Sequence, residues 1–382
     1  MAVVTNAAPV DLDAASGEPL HPAASEVLAA AHERGWGDPR RLHRAGRDAR
    51  LLLDNAREVV AGALGVRRDE VSFTSSGTEA VHRGLLGLLE GRADGRDATL
   101  LSAVEHSAVG HAADWWARRS GVPGAVVPVD RHGRVSPDDV VDLVAPGTGV
   151  VALQAANHEV GTVQPVAEVA ARLDGRVPLF VDACAAAGRR ALPRGWDAAA
   201  ASAHKWGGPP GVGVLLVRKG ARWASPFPGD DRVDERTSGF ENVPAALAAA
   251  AALQAVVTER DEVATRQHAL VARLREGVTV IPDVDVVGDP DDRLPHLVTF
   301  SFLYVDGEAL VHELERHGFG VASGSACTSS TFEPSHVLAA MGALTHGNAR
   351  VSLHRDTGAD DVERLLAVLP GVVADLRARV GM

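Results

Sequence analysis

Ser202-Ala203-His204-Lys205-Trp206-Gly207-Gly208 sets one lysine among small residues, and an apolar run over residues 212–217 follows it. Such a run between Gly and Pro punctuation reads as a buried strand, so Lys205 falls on a tight turn that a ligand can approach closely. Shielding a lysine from water disfavours its charged form and makes its amine a usable nucleophile. Further polar motifs sit where strands are expected to end, which is where ligands bind in open α/β sheets. Ser75-Ser76-Gly77-Thr78 separates a strand from a helix. The N–H groups of that helix start, with the Thr78 hydroxyl, suit a phosphate, although ordinary helix capping uses the same residue types. Asp182 closes another apolar run and can pair with a protonated ring nitrogen or cap a helix. Glu105-His106 offers an imidazole that can lie against a planar ring or carry a proton. Asn157-His158-Glu159-Val160-Gly161 offers an amide for a ring hydroxyl.

Each motif is common alone. Together a phosphate cradle, a planar-ring clamp, an acid for a ring nitrogen and a turn lysine describe one ligand, pyridoxal 5'-phosphate held on Lys205 as a Schiff base. Two later features add reaction chemistry. Ser323-Gly324-Ser325-Ala326-Cys327-Thr328-Ser329-Ser330 surrounds a thiol with small polar residues. This is expected to be an exposed loop, the setting a reactive thiolate needs. Arg350 precedes Val351-Ser352-Leu353 on an expected strand, and its guanidinium can grip a substrate carboxylate in two places. No metal is expected.

These segments resemble the cysteine desulfurases of nitrogenase and iron–sulfur cluster assembly, class V enzymes of fold-type I. The resemblance runs from Val10-Asp11-Leu12-Asp13-Ala14-Ala15 through Arg293-Leu294-Pro295-His296 to Arg350-Val351-Ser352-Leu353. The cysteine loop leading into Glu333-Pro334-Ser335 is its most specific part. The resemblance implies that Lys205 holds the cofactor and then moves protons, and that His106 stacks on the ring. It implies phosphate contacts from Gly77, Thr78, Ser202 and His204, a ring-nitrogen contact from Asp182, and a ring-hydroxyl contact from Asn157. Arg350 would bind the L-cysteine carboxylate, with Asn157 also contacting the substrate. Cys327 would take the substrate sulfur as a persulfide for an acceptor protein, leaving L-alanine. The acceptor could serve iron–sulfur assembly, transfer-RNA thiolation or a biosynthetic pathway. A homodimer is implied as well. The alternative is another class V activity, such as a selenocysteine lyase, a β-eliminating lyase or an aminotransferase. Three positions depart from the family pattern: Ala185 stands for a glutamine, Phe240 for a threonine that reaches the neighbouring subunit's phosphate, and His354 for a glycine. Two lost cofactor hydrogen bonds, each worth about 0.5–1.5 kcal/mol net, would weaken cofactor binding without abolishing it.

The whole chain is compatible with that reading. Its 382 residues allow one large and one smaller domain. A formal charge of −12 argues against direct nucleic-acid binding. No basic, apolar leader and no membrane-length apolar stretch is read, and the two cysteines, Cys184 and Cys327, form no disulfide framework. A cytoplasmic protein without a membrane partner is therefore expected. Cys184, beside alanines and without a basic neighbour, reads as structural.

Strand-length apolar runs alternate with helical patterns, which predicts an α/β fold with a largely parallel sheet, and the resemblance to fold-type I implies a mostly parallel sheet of seven strands. Strands are predicted near residues 71–74, 98–102, 125–129, 149–154, 178–181 and 212–217, with helices near 80–90, 104–119, 137–144 and 166–173. A long helix over 244–276 bridges to a smaller α+β domain. There, strands are expected near 297–302, 320–322 and 350–353, with helices near 307–316, 334–341 and 360–368. Residues 283–293, rich in Asp, Pro and Gly, read as a surface loop. The expected division is a large cofactor-binding domain over 15–258 and a small domain of 1–14 with 259–382.

Overall fold

The computed structural model describes residues 8–92, 95–229, 234–323 and 334–381. In chain order the first half runs β1 (Val10–Asp11), α1 (Pro22–Arg34), α2 (Arg44–Leu64), β2 (Val71–Thr74), α3 (Gly77–Glu90), β3 (Ala98–Ser102), α4 (Ser107–Ser120), β4 (Ala125–Val127), α5 (Pro137–Asp142), β5 (Thr148–Gln154), α6 (Val166–Leu173) and β6 (Leu179–Asp182). The second half adds β7 (Ala198–Ser202), β8 (Gly213–Val217), α7 (Val243–Val278), β9 (Val284–Val287), β10 (Leu297–Phe302), α8 (Gly307–Arg316), β11 (Phe319–Gly320), α9 (His336–Met341), β12 (Asn348–Ser352) and α10 (Ala359–Arg379).

The central sheet has seven strands in the order β2-β8-β7-β6-β5-β3-β4. β4, β3, β5, β6 and β7 are parallel, while β8 runs antiparallel to both β7 and β2. This is the α/β architecture expected. β7 is the strand that sequence reasoning passed over, because four consecutive alanines have weak strand preference. Its place is set by partners instead. Asp182 pairs with Ala200, Leu215 pairs with Ala200 from the other side, and every β7 residue is buried. Small side chains there and Gly84 on α3 let the helix lie close, since a Cβ at Gly84 would fall 2.4 Å from the Phe180 ring of β6.

A second sheet, β12-β10-β9, is antiparallel, and β1 pairs with β11 alongside it. β9 corrects the expected 283–293 loop. Val284, Val286 and Val287 supply β-branched residues, and Val286 pairs with Phe300; the irregular part of the stretch is Asp283 and residues 288–292. α10 also runs past its expected end, through Pro370 to Arg379. α7 spans 36 residues and joins two cores. Its buried alanines Ala245, Ala246, Ala248, Ala249, Ala250 and Ala252, with Leu253, pack under the main sheet, whereas Val271, Leu274 and Val278 pack with Val298, Phe300 and Val351. The expected boundary after residue 258 thus falls inside this helix. Among the described residues, no helix is long and apolar enough to cross a membrane.

Close backbone approach is the main demand that this packing makes on composition. A Cβ at Gly213 would lie 2.1 Å from the Ser76 carbonyl oxygen, whereas one at Gly62 on α2 meets nothing within 4 Å. Gly213→Ala should therefore lower stability by about 1–3 kcal/mol, because backbone must shift to admit the methyl group. Gly62→Ala should raise it by about 0.5–1 kcal/mol through helix propensity. Urea midpoints of the two variants check the contrast, and equal shifts would refute it.

Candidate active site

Three strand ends and two helix starts meet at one cavity of ≈ 280 Å³. β7 ends at Ser202 and passes into a single 3₁₀ turn, Ala203–Trp206, that carries Lys205. Gly207 closes the turn at φ 78°, a left-handed conformation that glycine adopts without strain. The Lys205 Nζ donates to the carbonyls of Ala15 (2.5 Å) and Ser16 (3.0 Å), so the segment after β1 lies across the lysine.

The N-terminus of α3 forms the opposite wall. Ser76 caps it by accepting from the Glu79 N–H at 3.0 Å, and Gly77 is its first residue. A Cβ on Gly77 would fall 2.6 Å from Ser202 Cβ, 2.8 Å from Ser202 Oγ and 3.2 Å from Cys184 Sγ. Only a bare backbone fits there. Thr78, Ser202 and His204 line the same end, with Ser202 Oγ 3.0 Å from His204 Nδ1. The result is a pocket of helix N–H groups and hydroxyls shaped for an anion.

Asp182 ends β6 and lines the cavity, one oxygen accepting the Cys184 N–H at 2.9 Å. His106 caps α4, its Nδ1 accepting the Ala108 N–H at 3.1 Å. That bond makes Nδ1 the acceptor and places the neutral ring's proton on Nε2. The expected α4 start near residue 104 is too early, and the shorter helix is what frees His106 to face the cavity. His158 lies edge-on to His106, with ring centres 4.9 Å apart.

Burial sets the charge states. It holds His106 below the ordinary imidazole range, aided by Lys205 and His336 and opposed by Asp182. It holds His158 well below that range, with His106 and Arg350 adding to the effect. His204 is lowered by burial and then by Lys205. The Cys184 thiol lines the wall, and burial, then Asp182, pushes it well up, so it is protonated and a poor nucleophile.

Arg350, on β12, is only 4% exposed. Its Nη2 donates to Asp13 Oδ1 at 2.8 Å and Ser16 Oγ at 2.7 Å, and its Nη1 to the His158 carbonyl at 3.2 Å. Asn157 is oriented differently from the expectation. Its Oδ1 accepts the N–H groups of Glu159 and Val160, its Nδ2 donates to the Val104 carbonyl, and the wall beside it is Ala156 and His158. The amide ties the turn after β5 to the segment before His106. The structure thus brings Gly77, Thr78, His106, Asp182, Ser202, His204, Lys205 and Arg350 to one cavity and sets Asn157 just behind it.

Cys327 lies outside the described residues. The described neighbours on both sides of its segment are tied to the site. Ala322 pairs with the Arg350 backbone, Ser335 donates to Glu159 Oε2 at 2.7 Å, and His336 Nε2 lies 2.9 Å from the Glu105 carbonyl. Sequence reasoning missed the contribution of Asp13, Ala15 and Ser16 to the site, as well as the Gln154 wall. Contacts that join Asp13, Ala15 and Ser16 to Lys205 and Arg350 span 189 to 337 positions and leave no local pattern to read.

The model of the family described as aminotransferase class-V matches residues 11–365. This chain belongs to the class-V aminotransferase family. It is 37% identical over 380 residues to an IscS-like cysteine desulfurase of Mycobacterium tuberculosis, covering 96% of each chain. It is 34% identical to the cysteine desulfurase NifS of Azotobacter vinelandii, covering 90% of this chain and 87% of that one. A solved structure described as a NifS-like protein superposes with a TM-score of 0.88 at 29% identity, over 96% of this chain and all of that one.

Glu105 generates a pH-dependent prediction. Its Oε1 accepts from Ser102 Oγ and the Gln154 N–H, while its Oε2 is buried without a partner. Burial, with Asp182 adding, raises its carboxyl from 4.5 to about 8. The native state therefore holds a proton that the unfolded state has released, and stability falls as pH rises from 4.5 towards 8. Glu105→Gln copies the protonated form and removes this loss. Its Tm should exceed that of the wild type by more at pH 8 than at pH 5; an equal difference at both values would contradict the assignment.

Proposed function

We propose that this protein is a pyridoxal-phosphate-dependent cysteine desulfurase that converts L-cysteine to L-alanine. It passes the sulfur as a persulfide on Cys327 to an acceptor protein. The observation that carries this reading is the placing of Lys205 beside Asp182 in a cavity whose far end admits an anion only because Gly77 has no side chain. The residues fit the cofactor. Gly77, Thr78, Ser202 and His204 would hold its phosphate, Asp182 its ring nitrogen, His106 its ring face and Lys205 its carbonyl carbon. When bound, the cofactor supplies an electron sink for the carbon skeleton of the substrate.

The chain's own groups do the rest. Arg350 fixes the substrate carboxylate, which orients the amine towards Lys205. The Lys205 amine leaves its carbonyl partners and moves protons at the substrate α-carbon. His106, neutral with its proton on Nε2, can exchange a proton with the substrate thiol. The Cys327 thiolate attacks the substrate sulfur; the new S–S bond forms as the C–S bond breaks, and protonation of the released carbon gives L-alanine. A reducing cytoplasm suits a reaction that leaves sulfur on a thiol.

The reading includes a homodimer. Phe240 and Trp36 are large, apolar and exposed, and both line a surface groove with Leu28 and Pro210. A second copy seated there would cover them and bring its own residues near the α3 end of the cavity.

Alanine and sulfide release from L-cysteine, with cofactor and a thiol reductant, tests the proposal. The wild type should turn over, and both Lys205→Ala and Cys327→Ala should fall to background. If Cys327→Ala keeps its alanine output, the thiol is not the nucleophile and a lyase or transaminase takes the place of this reading.

A further inference from the structure

We propose that Asp13 is a built-in competitor for the substrate carboxylate at Arg350, so that substrate must displace an internal anion to bind. This rests on the reading of Arg350 as the carboxylate-binding residue. Arginine grips a carboxylate side-on through Nε and the adjacent Nη2. Here the Nε N–H is buried without a partner, whereas both hydrogens of Nη2 are taken, by Asp13 and by Ser16. One half of the fork is unpaired and the other half is held. A carboxylate that reaches Nε completes the pair only by exchanging with a group at Nη2.

The exchange falls on Asp13 for electrostatic reasons. Ser16 is neutral and can remain beside a second anion, whereas two carboxylates on one guanidinium repel each other. The Asp13 side chain is itself 28% exposed, so water can take over its hydrogen bond when it lets go. Its backbone cannot retreat. Leu12 is fully buried, its carbonyl accepts the Ser352 N–H at 2.7 Å, and the Asp13 N–H is held by Asp11 Oδ1 at 3.0 Å. The Asp13 carboxylate therefore stays close to Arg350 while substrate binds, and its charge opposes each carboxylate that enters. In exchange, it gives the buried Arg350 a counter-ion whenever substrate is absent.

Asp13→Asn keeps an oxygen that can accept from Nη2 and removes only the charge. The test measures binding of L-alanine to the holoenzyme through the change in cofactor absorbance, with 2-aminoethanethiol as a probe that lacks a carboxylate. Asp13→Asn should bind L-alanine about tenfold more tightly, the size expected for relieving one close like-charge contact, and 2-aminoethanethiol as the wild type does. Weaker or unchanged L-alanine binding, or equal shifts for both probes, would overturn the inference. Arg350→Gln separates the two levels of the argument. It should weaken L-alanine binding more than tenfold; if it does not, the reading of Arg350 itself is wrong, whereas a loss in Arg350→Gln without a gain in Asp13→Asn refutes only the role of Asp13.

Discussion

The site depends on one close backbone approach, the packing of the α3 N-terminus against the end of β7. Gly77 and Ser202 come so near that a single methyl group at Gly77 would collide with the serine. Gly213 repeats the constraint one strand over, against the Ser76 carbonyl. Because these backbones touch, the helix N–H groups, the Ser202 hydroxyl and the Lys205 turn converge on one end of the cavity. Ala198 and Ala200 of β7 belong to the same constraint, since larger side chains there would push α3 away from the sheet, while Ala199 and Ala201 face the opposite core. Weak strand preference in the residues is offset by pairing on both sides and by burial that excludes water.

Burial then decides which groups carry charge. His106, His158 and His204 are all held towards their neutral forms, and Glu105 keeps its proton at neutral pH. Lys205 and Arg350 are met by the same short segment after β1, through the carbonyls of Ala15 and Ser16 and the side chains of Asp13 and Ser16. That segment links the two cores: Leu12 packs with Phe300 and Val351, and Ala15 packs with Ala203 and Trp206. A further ionic contact holds it at Glu18, whose carboxyl is kept at about 2 because burial is outweighed by His354, then Arg189 and the Arg355 N–H. His354 lies between the β12 end and the N-terminal strand, 3.4 Å from Asp11 and 3.7 Å from Glu18.

Much of this was legible in the sequence because it is local. A lysine between small residues, an acid closing an apolar run and a Ser-Ser-Gly-Thr helix start each announce themselves within a few positions, and all of them line the cavity. The alternation of apolar runs gave most strands to within two residues. What could not be read is set by distant partners. β7 is a strand because β6 and β8 flank it. β9 emerges from an Asp- and Pro-rich stretch because β10 offers a free edge. Asn157 looked like a ring contact by residue type, yet its amide serves the backbone of its own turn. The Asp13–Arg350 pair joins residues 337 positions apart, beyond the reach of any motif.

The central claim is that sulfur leaves L-cysteine onto Cys327. Peptide mass analysis of the cofactor-loaded protein, treated with L-cysteine without reductant or acceptor, tests it most directly. The account predicts a gain of one sulfur atom on the Cys327 peptide, absent from the Cys184 peptide and absent throughout Lys205→Ala. Alanine formation with an unmodified Cys327, or sulfur found on Cys184, would contradict it.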